Sequence, residues 1–585
     1  MSSLTELLAA YRSGSQNPSD VLSACADRIA AEGTQPVWIS TFGKQQLLAQ
    51  LEAADPAGPL YGVPFAVKDN IDVAGLPTTA ACPDFSYLPV RHAPVVERLV
   101  QAGAIVVGKT NLDQFATGLV GTRTPYGVCS SIFDPRYISG GSSAGSAVAV
   151  AQGLVPFSLG TDTAGSGRIP AAFNALVGLK PTRGLLSTRG VVPACRSLDC
   201  VSIFTHSVAD ARVLLEICAG YDQEDAFSRQ REAVSSRGDT PLRLAVPRSV
   251  DLEFFGDLES AELFLAALEH ARSLGAEITR FDFAPFRDAA ALLYAGPWVA
   301  ERTSATAELL ERKPEAVHPV VRGIVESAKN YDAAAAFRGL YRLGELRQRA
   351  AAVLAEVDAL LLPTAPTHYT IREVEDNPVE LNSRLGTYTN FVNLLDLSAL
   401  AVPAGFKRSG LPFGVTFMAP AFHDERLLEV ARRFVGEPEP QPAPAHGCVW
   451  LAVAGAHLSG QPLNHELTSL GASRIRTTKT AAEYRLYALD TVPPKPGLVH
   501  VPGEVAQAIE VEVWELSESA FGSFVARVPA PMTIGMTKLA DGTLIKGFAC
   551  EPYALKGARD ISQFGGWRAF RSSQVAHRAT PRESP

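Results

Sequence analysis

The sequence predicts an α/β protein in two unequal parts: a large body built on a mixed or parallel β-sheet covered by helices, and a smaller β-rich α+β domain at the C-terminal end. Three observations carry this reading. Helix-like and strand-like segments alternate through residues 1–435, the pattern of a sheet with helical crossovers. Gly436-Glu-Pro-Glu-Pro-Gln-Pro-Ala-Pro-Ala-His446 then alternates proline with small or polar residues, the composition of an extended, semi-rigid linker. Beyond it, strand-like segments follow one another and are joined by turns.

The elements follow in order. Asn17-Pro18 is a cap and first-turn pair, and Ser19 to Ala31 carries apolar or small residues at helical spacing. Ala104-Ile-Val-Val-Gly108 and Asp358-Ala-Leu-Leu-Leu-Pro363 are short apolar runs ended by a breaker, which suits buried strands. Ala144 to Gln152 is rich in small residues and predicts a tightly packed helix. After the linker (436–446), Val449 to Ala454, Tyr484 to Leu489, Ile509 to Trp514 and Thr543 to Ala549 read as strands of a domain over 447–571. Residues 572–585 are polar and read as a frayed tail. No internal repeat is present.

Bulk properties exclude several classes. At 585 residues the chain exceeds one ordinary domain, and 46% hydrophobic with 19% charged residues is a globular balance. The net charge of −8 argues against a broad basic face for nucleic acid, while leaving room for a small anion held by a local arginine. The eight cysteines are scattered, no Cys/His cluster has zinc spacing, and free thiols in a reducing compartment are expected. Met1-Ser-Ser-Leu-Thr-Glu-Leu-Leu lacks the basic and apolar regions of a signal peptide, and Ala144 to Leu159 is broken by polar residues and proline. The expected location is the cytoplasm, with no membrane partner.

Chemistry concentrates between Lys68 and Arg168. Ser139-Gly-Gly-Ser-Ser-Ala-Gly-Ser146 places small residues where a backbone must bend tightly and approach a ligand. In Gly160-Thr-Asp-Thr-Ala-Gly-Ser-Gly-Arg168, glycines on both sides of Ser166 let backbone N–H groups converge beside its hydroxyl, as a tetrahedral oxyanion requires. Gly62-Val-Pro-Phe-Ala-Val-Lys-Asp-Asn70 puts Lys68 at the end of a short apolar strand, where desolvation would favour its neutral, basic form. Taken singly, each segment also reads as an ordinary turn, an anion-binding nest or a solvated lysine.

Together, in this order, these segments resemble the amidase signature family, whose pattern is met by Lys68, Gly140 to Gly145 and Thr161 to Ala171. The resemblance continues through Gly178-Leu-Lys-Pro-Thr182, Ser197-Leu-Asp199, Leu361-Leu-Pro-Thr364 and Asn393 to Pro403. Ala164 stands where that family usually has glycine, and Gly167 where it usually has a branched residue. The resemblance implies Ser166 as nucleophile, Ser142 as proton relay behind a cis Gly141–Ser142 peptide, and Lys68 as the base. It further implies an oxyanion hole from the N–H groups of Thr163, Ala164, Gly165 and Ser166, and no metal or organic cofactor. Asp162 reads either as a loop-orienting or as a turn-stabilising carboxylate, and Ser143 as a structural hydroxyl.

Thr161-Asp-Thr-Ala-Gly-Ser-Gly-Arg168, Asp113 to Gly127 with Gly121 inside it, and Leu293-Tyr-Ala-Gly-Pro-Trp-Val-Ala-Glu-Arg302 resemble the allophanate hydrolase branch of the family. That branch implies substrate binding by Gly121, Tyr294 and Arg302, the guanidinium gripping the carboxylate of allophanate (urea-1-carboxylate) at two points. The alternative for the pair is Tyr294 in the core and Arg302 paired with Glu301 or another acid. Val453 to Asn464, Tyr484 to Leu489 and Asp560 to Trp567 resemble the allophanate hydrolase C-terminal domain, which is similar to the γ-glutamyl cyclotransferase fold. It implies a role after amide cleavage, decarboxylation of N-carboxycarbamate or partner docking, with His457 as its candidate residue. A homodimer and a functional link to a urea carboxylase or biuret hydrolase are expected. Another amidase of different substrate, the amidase subunit of a tRNA-dependent amidotransferase, and an adapter using the body as scaffold are the alternatives.

Overall fold

A computed structural model describes residues 3–31, 35–232, 241–438, 447–503 and 506–578. The chain forms two compact units, Met1–Glu439 and Pro440–Pro585. Most of the proline-rich segment, 439–446, lies outside the described residues.

The first unit is organised on a mixed eleven-stranded sheet. In chain order its strands are β1 (Trp38–Thr41), β2 (Pro64–Lys68), β3 (Ile105–Thr110), β4 (Phe157–Thr161), β5 (Val177–Lys180), β6 (Val201–Thr205), β7 (Arg243–Pro247), β8 (Glu277–Phe281), β9 (Ala359–Pro363), β10 (Leu397–Phe406) and β11 (Pro412–Pro420). Their spatial order is β1-β3-β2-β4-β6-β5-β10-β11-β9-β7-β8. The part that matters for chemistry is the parallel trio β3-β2-β4, with Pro64 opposite Ile105 and Phe65 opposite Phe157. Because these strands run the same way, the residues ending β2 and β4, Lys68 and Thr161, emerge at the same end of the sheet. Both strands are buried throughout, and the apolar run of β2 up to Lys68 is what burial on both faces requires.

The helix Ala144–Ala151 packs on β2 and β4, and small residues are what permit it. Residues from Ala144 to Val150 are all buried, and a Cβ on Gly145 would come within 2.6 Å of the Val37 carbonyl. Ser146 Oγ donates to the Leu159 carbonyl at 2.9 Å, and Ser158 Oγ returns a bond to the Ser146 carbonyl at 2.7 Å. Burial of two serines is thereby satisfied, and the helix start, immediately after Ser142 and Ser143, is locked against the sheet. The other segments read as helix or strand occur as Pro18–Ala31, Ile105–Thr110 and Ala359–Pro363. No helix among the described residues is long and apolar enough to cross a membrane.

The second unit holds a five-stranded sheet and a three-stranded one. Its strands are β12 (Cys448–Val453), β13 (Ser473–Lys479), β14 (Tyr484–Ala488), β15 (Pro496–His500), β16 (Glu510–Ser517), β17 (Met532–Lys538), β18 (Leu544–Cys550) and β19 (Arg559–Asp560). The larger sheet has the order β13-β16-β12-β18-β17, antiparallel except for the parallel pair β12-β18. Trp450, Leu451, Val453, Val511, Val513 and Trp514 bring β12 and β16 into the core of this unit. A helix runs over Trp567–Arg578, so regular structure continues past Arg571, where the frayed tail was expected to begin; residues 579–585 lie outside the described residues.

Candidate active site

Lys68 is fully buried, and its Nζ donates to Ser142 Oγ at 2.7 Å and to Thr161 Oγ1 at 2.7 Å. Burial pushes its pKa down from 10.5 to about 7, against the opposing pull of Asp113, Asp162 and Asp199. The lysine can therefore be neutral near neutrality, as a base must be. Thr161 had no role in the sequence reading beyond its place in the motif. Beside Lys68, Asp69 engages a different cation: Lys109 Nζ lies 3.1 Å from Asp69 Oδ1, both buried.

The Gly141–Ser142 peptide is cis. Gly141 has no room for a side chain, since a Cβ would lie 2.2 Å from Asp113 Oδ2 and 2.4 Å from the Gly121 nitrogen. Asp113 gathers this region: it accepts the N–H groups of Val120 and Gly121 on Oδ2 and of Arg123 on Oδ1, while its own N–H reaches the Ser142 carbonyl at 3.1 Å. Gly121, at φ +75°, is part of that packed turn, where a Cβ would meet Ala144 Cβ and the Gly140 carbonyl at 2.9 Å. Ser143 Oγ donates to the Thr161 carbonyl at 3.1 Å.

Asp162 governs the loop that carries Ser166. Its carboxylate takes both nitrogens of a two-point bond from Arg168, each at 2.8 Å, and the N–H groups of Gly165 and Gly167 at 2.9 and 3.0 Å. Burial alone would raise its pKa, but Arg168 and these donors hold it below the usual carboxylate value. The Gly165 N–H is thus committed to Asp162. The N–H groups of Thr163, Ala164 and Ser166 donate to no acceptor among the described residues, so three of the four expected oxyanion donors are free. Ser166 Oγ donates to the Gly118 carbonyl at 3.4 Å, a long bond that leaves the hydroxyl weakly held. Gly167 fits because Ser202 fills the space a side chain would need, 2.5 Å from the position of a Cβ.

Arg302 and Tyr294 come together despite the intervening Pro297: the guanidinium lies 4.9 Å from the centroid of the Tyr294 ring. Arg302 is 2% exposed, and Nη1 donates to Thr117 Oγ1 at 3.0 Å. Its Nε and Nη2 are buried without a hydrogen-bond partner, and Arg302 forms no ion pair among the described residues. Glu301 does not neutralise it; that carboxylate accepts instead from Ser197 and Cys195. Arg302 is thus bonded to Thr117 and Ser166 to the next residue, Gly118. Sequence reasoning missed Asp199, which accepts from Thr163 Oγ1 and from the N–H groups of Ala194 and Cys195. The residue lay inside a quoted motif, but no spacing rule marks a loop-to-loop carboxylate.

In the second unit His457 borders a cavity of about 250 Å³, shared with Glu466, Lys495, Arg527, Phe524 and Phe548. Its Nε2 lies 3.0 Å from Glu466 Oε2, and its ring stacks on Phe548 with centroids 5.0 Å apart. Burial lowers the imidazole pKa, with Glu466 opposing. The loop is fixed two residues later, where the Ser459 N–H donates to the buried Glu512 carboxylate at 2.8 Å.

Comparison with known proteins finds matches to both units. The amidase family model matches residues 20–428, and the model of the allophanate hydrolase C-terminal domain matches 449–572. The chain is 44% identical to the urea amidolyase of Saccharomyces cerevisiae over 594 aligned residues, covering 95% of this chain and 32% of that protein. It thus spans about a third of the length of the curated urea amidolyases it matches. Kluyveromyces lactis allophanate hydrolase superposes with a TM-score of 0.72 at 41% identity, covering 98% of this chain and 99% of that one. A glutamyl-tRNA(Gln) amidotransferase subunit from a Synechococcus species is 33% identical over 73% of this chain and 95% of its own length.

Proposed function

This chain belongs to the amidase family, and within it we propose that the chain hydrolyses allophanate through Ser166, Ser142 and Lys68. One observation carries the choice of substrate: a buried arginine with two unpartnered nitrogens stands in the same loop cluster as the nucleophile. An unpaired buried guanidinium is costly, so a site built around one is a site for an anion. Allophanate carries its carboxylate on the amide nitrogen that joins it to the scissile carbonyl carbon, and the guanidinium fork can hold both carboxylate oxygens. Tyr294 lies against that guanidinium, and Gly121 keeps the adjoining turn narrow.

In this reading neutral Lys68 draws the proton of Ser142, and Ser142 that of Ser166, whose Oγ turns from Gly118 and attacks the terminal amide carbon. The tetrahedral oxyanion is met by the N–H groups of Thr163, Ala164 and Ser166. Ammonia leaves with the proton returned through Ser142, and water then releases N-carboxycarbamate from Ser166 by the same relay. Similarity to K. lactis allophanate hydrolase along nearly all of both chains supports this substrate over that of the amidotransferase subunit, whose match covers 73% of this chain. A cytoplasmic homodimer working downstream of urea carboxylation is part of the same proposal; the urea amidolyase relatives support the link to urea carboxylation.

For the second unit we propose a γ-glutamyl cyclotransferase-like fold and decarboxylation of N-carboxycarbamate at His457. The cavity supports it, since Lys495 and Arg527 suit a dianion and His457 can hold or give a proton. Ammonia and carbon dioxide release should be measured with allophanate, biuret, a simple alkyl amide and glutamine with charged tRNA. Turnover confined to the latter three would overturn the substrate assignment. His457→Asn should slow carbon dioxide release more than the first ammonia.

A further inference from the structure

We propose that Glu301 is a positioning residue, setting the distance between Arg302 and the nucleophile loop and hence the enzyme's preference for a carboxylate-bearing amide. The inference rests on Arg302 being the carboxylate grip. Glu301 ends the short helix Trp298–Glu301, directly before Arg302. Its Oε1 accepts the Ser197 N–H at 2.6 Å, and its Oε2 accepts Ser197 Oγ at 2.7 Å and Cys195 Sγ at 3.0 Å. The Cys195 thiol is held protonated by burial and by Glu301, so it serves as donor.

The segment so gripped, Ala194 to Asp199, is closed on itself. The N–H groups of Leu198 and Asp199 return to the Cys195 carbonyl at 2.8 and 2.9 Å, and Asp199 Oδ2 accepts the N–H of Ala194 at 2.9 Å. Its far side is bonded to the nucleophile loop: Thr163 Oγ1 donates to Asp199 Oδ1, and Asn393 Nδ2 spans the carbonyls of Leu198 and Asp162, each at 2.7 Å. A continuous set of short bonds therefore runs from the backbone of Arg302, through Glu301 and the 194–199 segment, to Thr163, whose N–H is an oxyanion donor. Both carboxylate oxygens of Glu301 are taken by Ser197 and Cys195 and neither bonds to Arg302, so removing the carboxylate changes where the guanidinium sits rather than what it pairs with.

The test is steady-state kinetics of the full chain on allophanate and on biuret, which replaces the carboxylate by a neutral amide. Glu301→Gln keeps an acceptor for the Ser197 N–H but cannot accept from both the hydroxyl and the thiol. The ratio of kcat/KM for allophanate to that for biuret should fall at least about tenfold, chiefly through KM for allophanate. Ser197→Ala should lower the ratio by less, and adding Glu301→Gln to Arg302→Ala should not change it further. Equal losses on both substrates in Glu301→Gln, or an unchanged ratio, would overturn the inference. Should Glu301→Gln not fold, an unchanged ratio in Ser197→Ala overturns it. If Arg302→Ala itself leaves the ratio unchanged, the reading of Arg302 is what has failed.

Discussion

Lys68 donates to the hydroxyls of Ser142 and Thr161 at 2.7 Å each and to no carboxylate, although three carboxylates act on it from further away. A buried ammonium facing two hydroxyls is poorly compensated, which is why burial dominates and its pKa falls to about 7. In the proposed relay the neutral amine is the active form, so kcat/KM should rise with pH through about 7 and level off above it. Asp199, raised by burial to about 6 and bonded to Thr163, should add a second proton to the acid limb. In Asp199→Asn that limb should flatten to a single ionisation. A wild-type profile flat from pH 5 to 9, a window chosen to bracket the values of about 6 and about 7, would contradict both assignments.

The same lysine costs stability. Between about 7 and 10.5 the unfolded chain holds a proton on Lys68 that the folded chain has released, so stability attributable to this group rises with pH across that window. Lys68→Met should therefore unfold at a higher temperature than wild type at pH 7, with the gap narrowing towards pH 10. The gain is reduced by the bonds lost at Ser142 and Thr161, both buried. Thermal unfolding of both proteins over pH 7 to 10 measures it, and a variant less stable at every pH would refute the account.

Ser166→Ala should abolish turnover and labelling by serine-directed reagents while leaving the unfolding temperature nearly unchanged. Its hydroxyl makes one bond, at 3.4 Å, so little packing depends on it. Ser142→Ala should also cost several orders of magnitude, and the double variant little more, because the two act as a unit. Additive losses would argue against a relay.

What was legible in the sequence, and what was not, follows from physics. Pro64–Lys68, Ile105–Thr110 and Ala359–Pro363 are buried on both faces, so their apolar runs are unmistakable. Strand Ser473–Lys479 is an edge strand, mostly exposed, with Arg474, Arg476 and Lys479 along it, and such a strand leaves no apolar alternation to read. The tight loop around Ser166 was legible because glycines and serines mark close backbone approach. Glu301 was weighed only as a partner for Arg302; that its carboxylate reaches back to Ser197, across more than a hundred residues of chain, is tertiary information. The commitment of the Gly165 N–H to Asp162 likewise needs the loop's own geometry.

Arg302→Lys should fail to restore activity lost in Arg302→Ala, since an ammonium cannot offer the planar two-point contact of Nε and Nη2. With a charged hydrogen bond worth about 1.5–3 kcal/mol, kcat/KM for allophanate should drop at least roughly tenfold in Arg302→Lys and further in Arg302→Ala. Tyr294→Phe keeps the ring against the guanidinium and should cost less than Arg302→Ala. Wild-type rates in Arg302→Lys would show that charge alone suffices.

Gly167 offers a test of how tightly the nucleophile loop is held. A Cβ there would stand 2.5 Å from Ser202 Cβ and 2.6 Å from its Oγ, inside any tolerable contact. Gly167→Ala must therefore push the loop away from β6 or distort the strand, and overpacking of this kind costs about 1–3 kcal/mol. The displaced atoms include the neighbouring N–H of Ser166, so activity should fall by more than the loss of stability alone explains. Ser202→Gly opens the space but weakens its strand by about 0.5–1 kcal/mol. The double variant Gly167→Ala/Ser202→Gly should consequently be more stable than the sum of the single losses predicts, and should regain most of its turnover. Thermal unfolding and steady-state kinetics on the four proteins complete the cycle; strictly additive losses would mean that Ser202 is not what excludes a side chain at position 167.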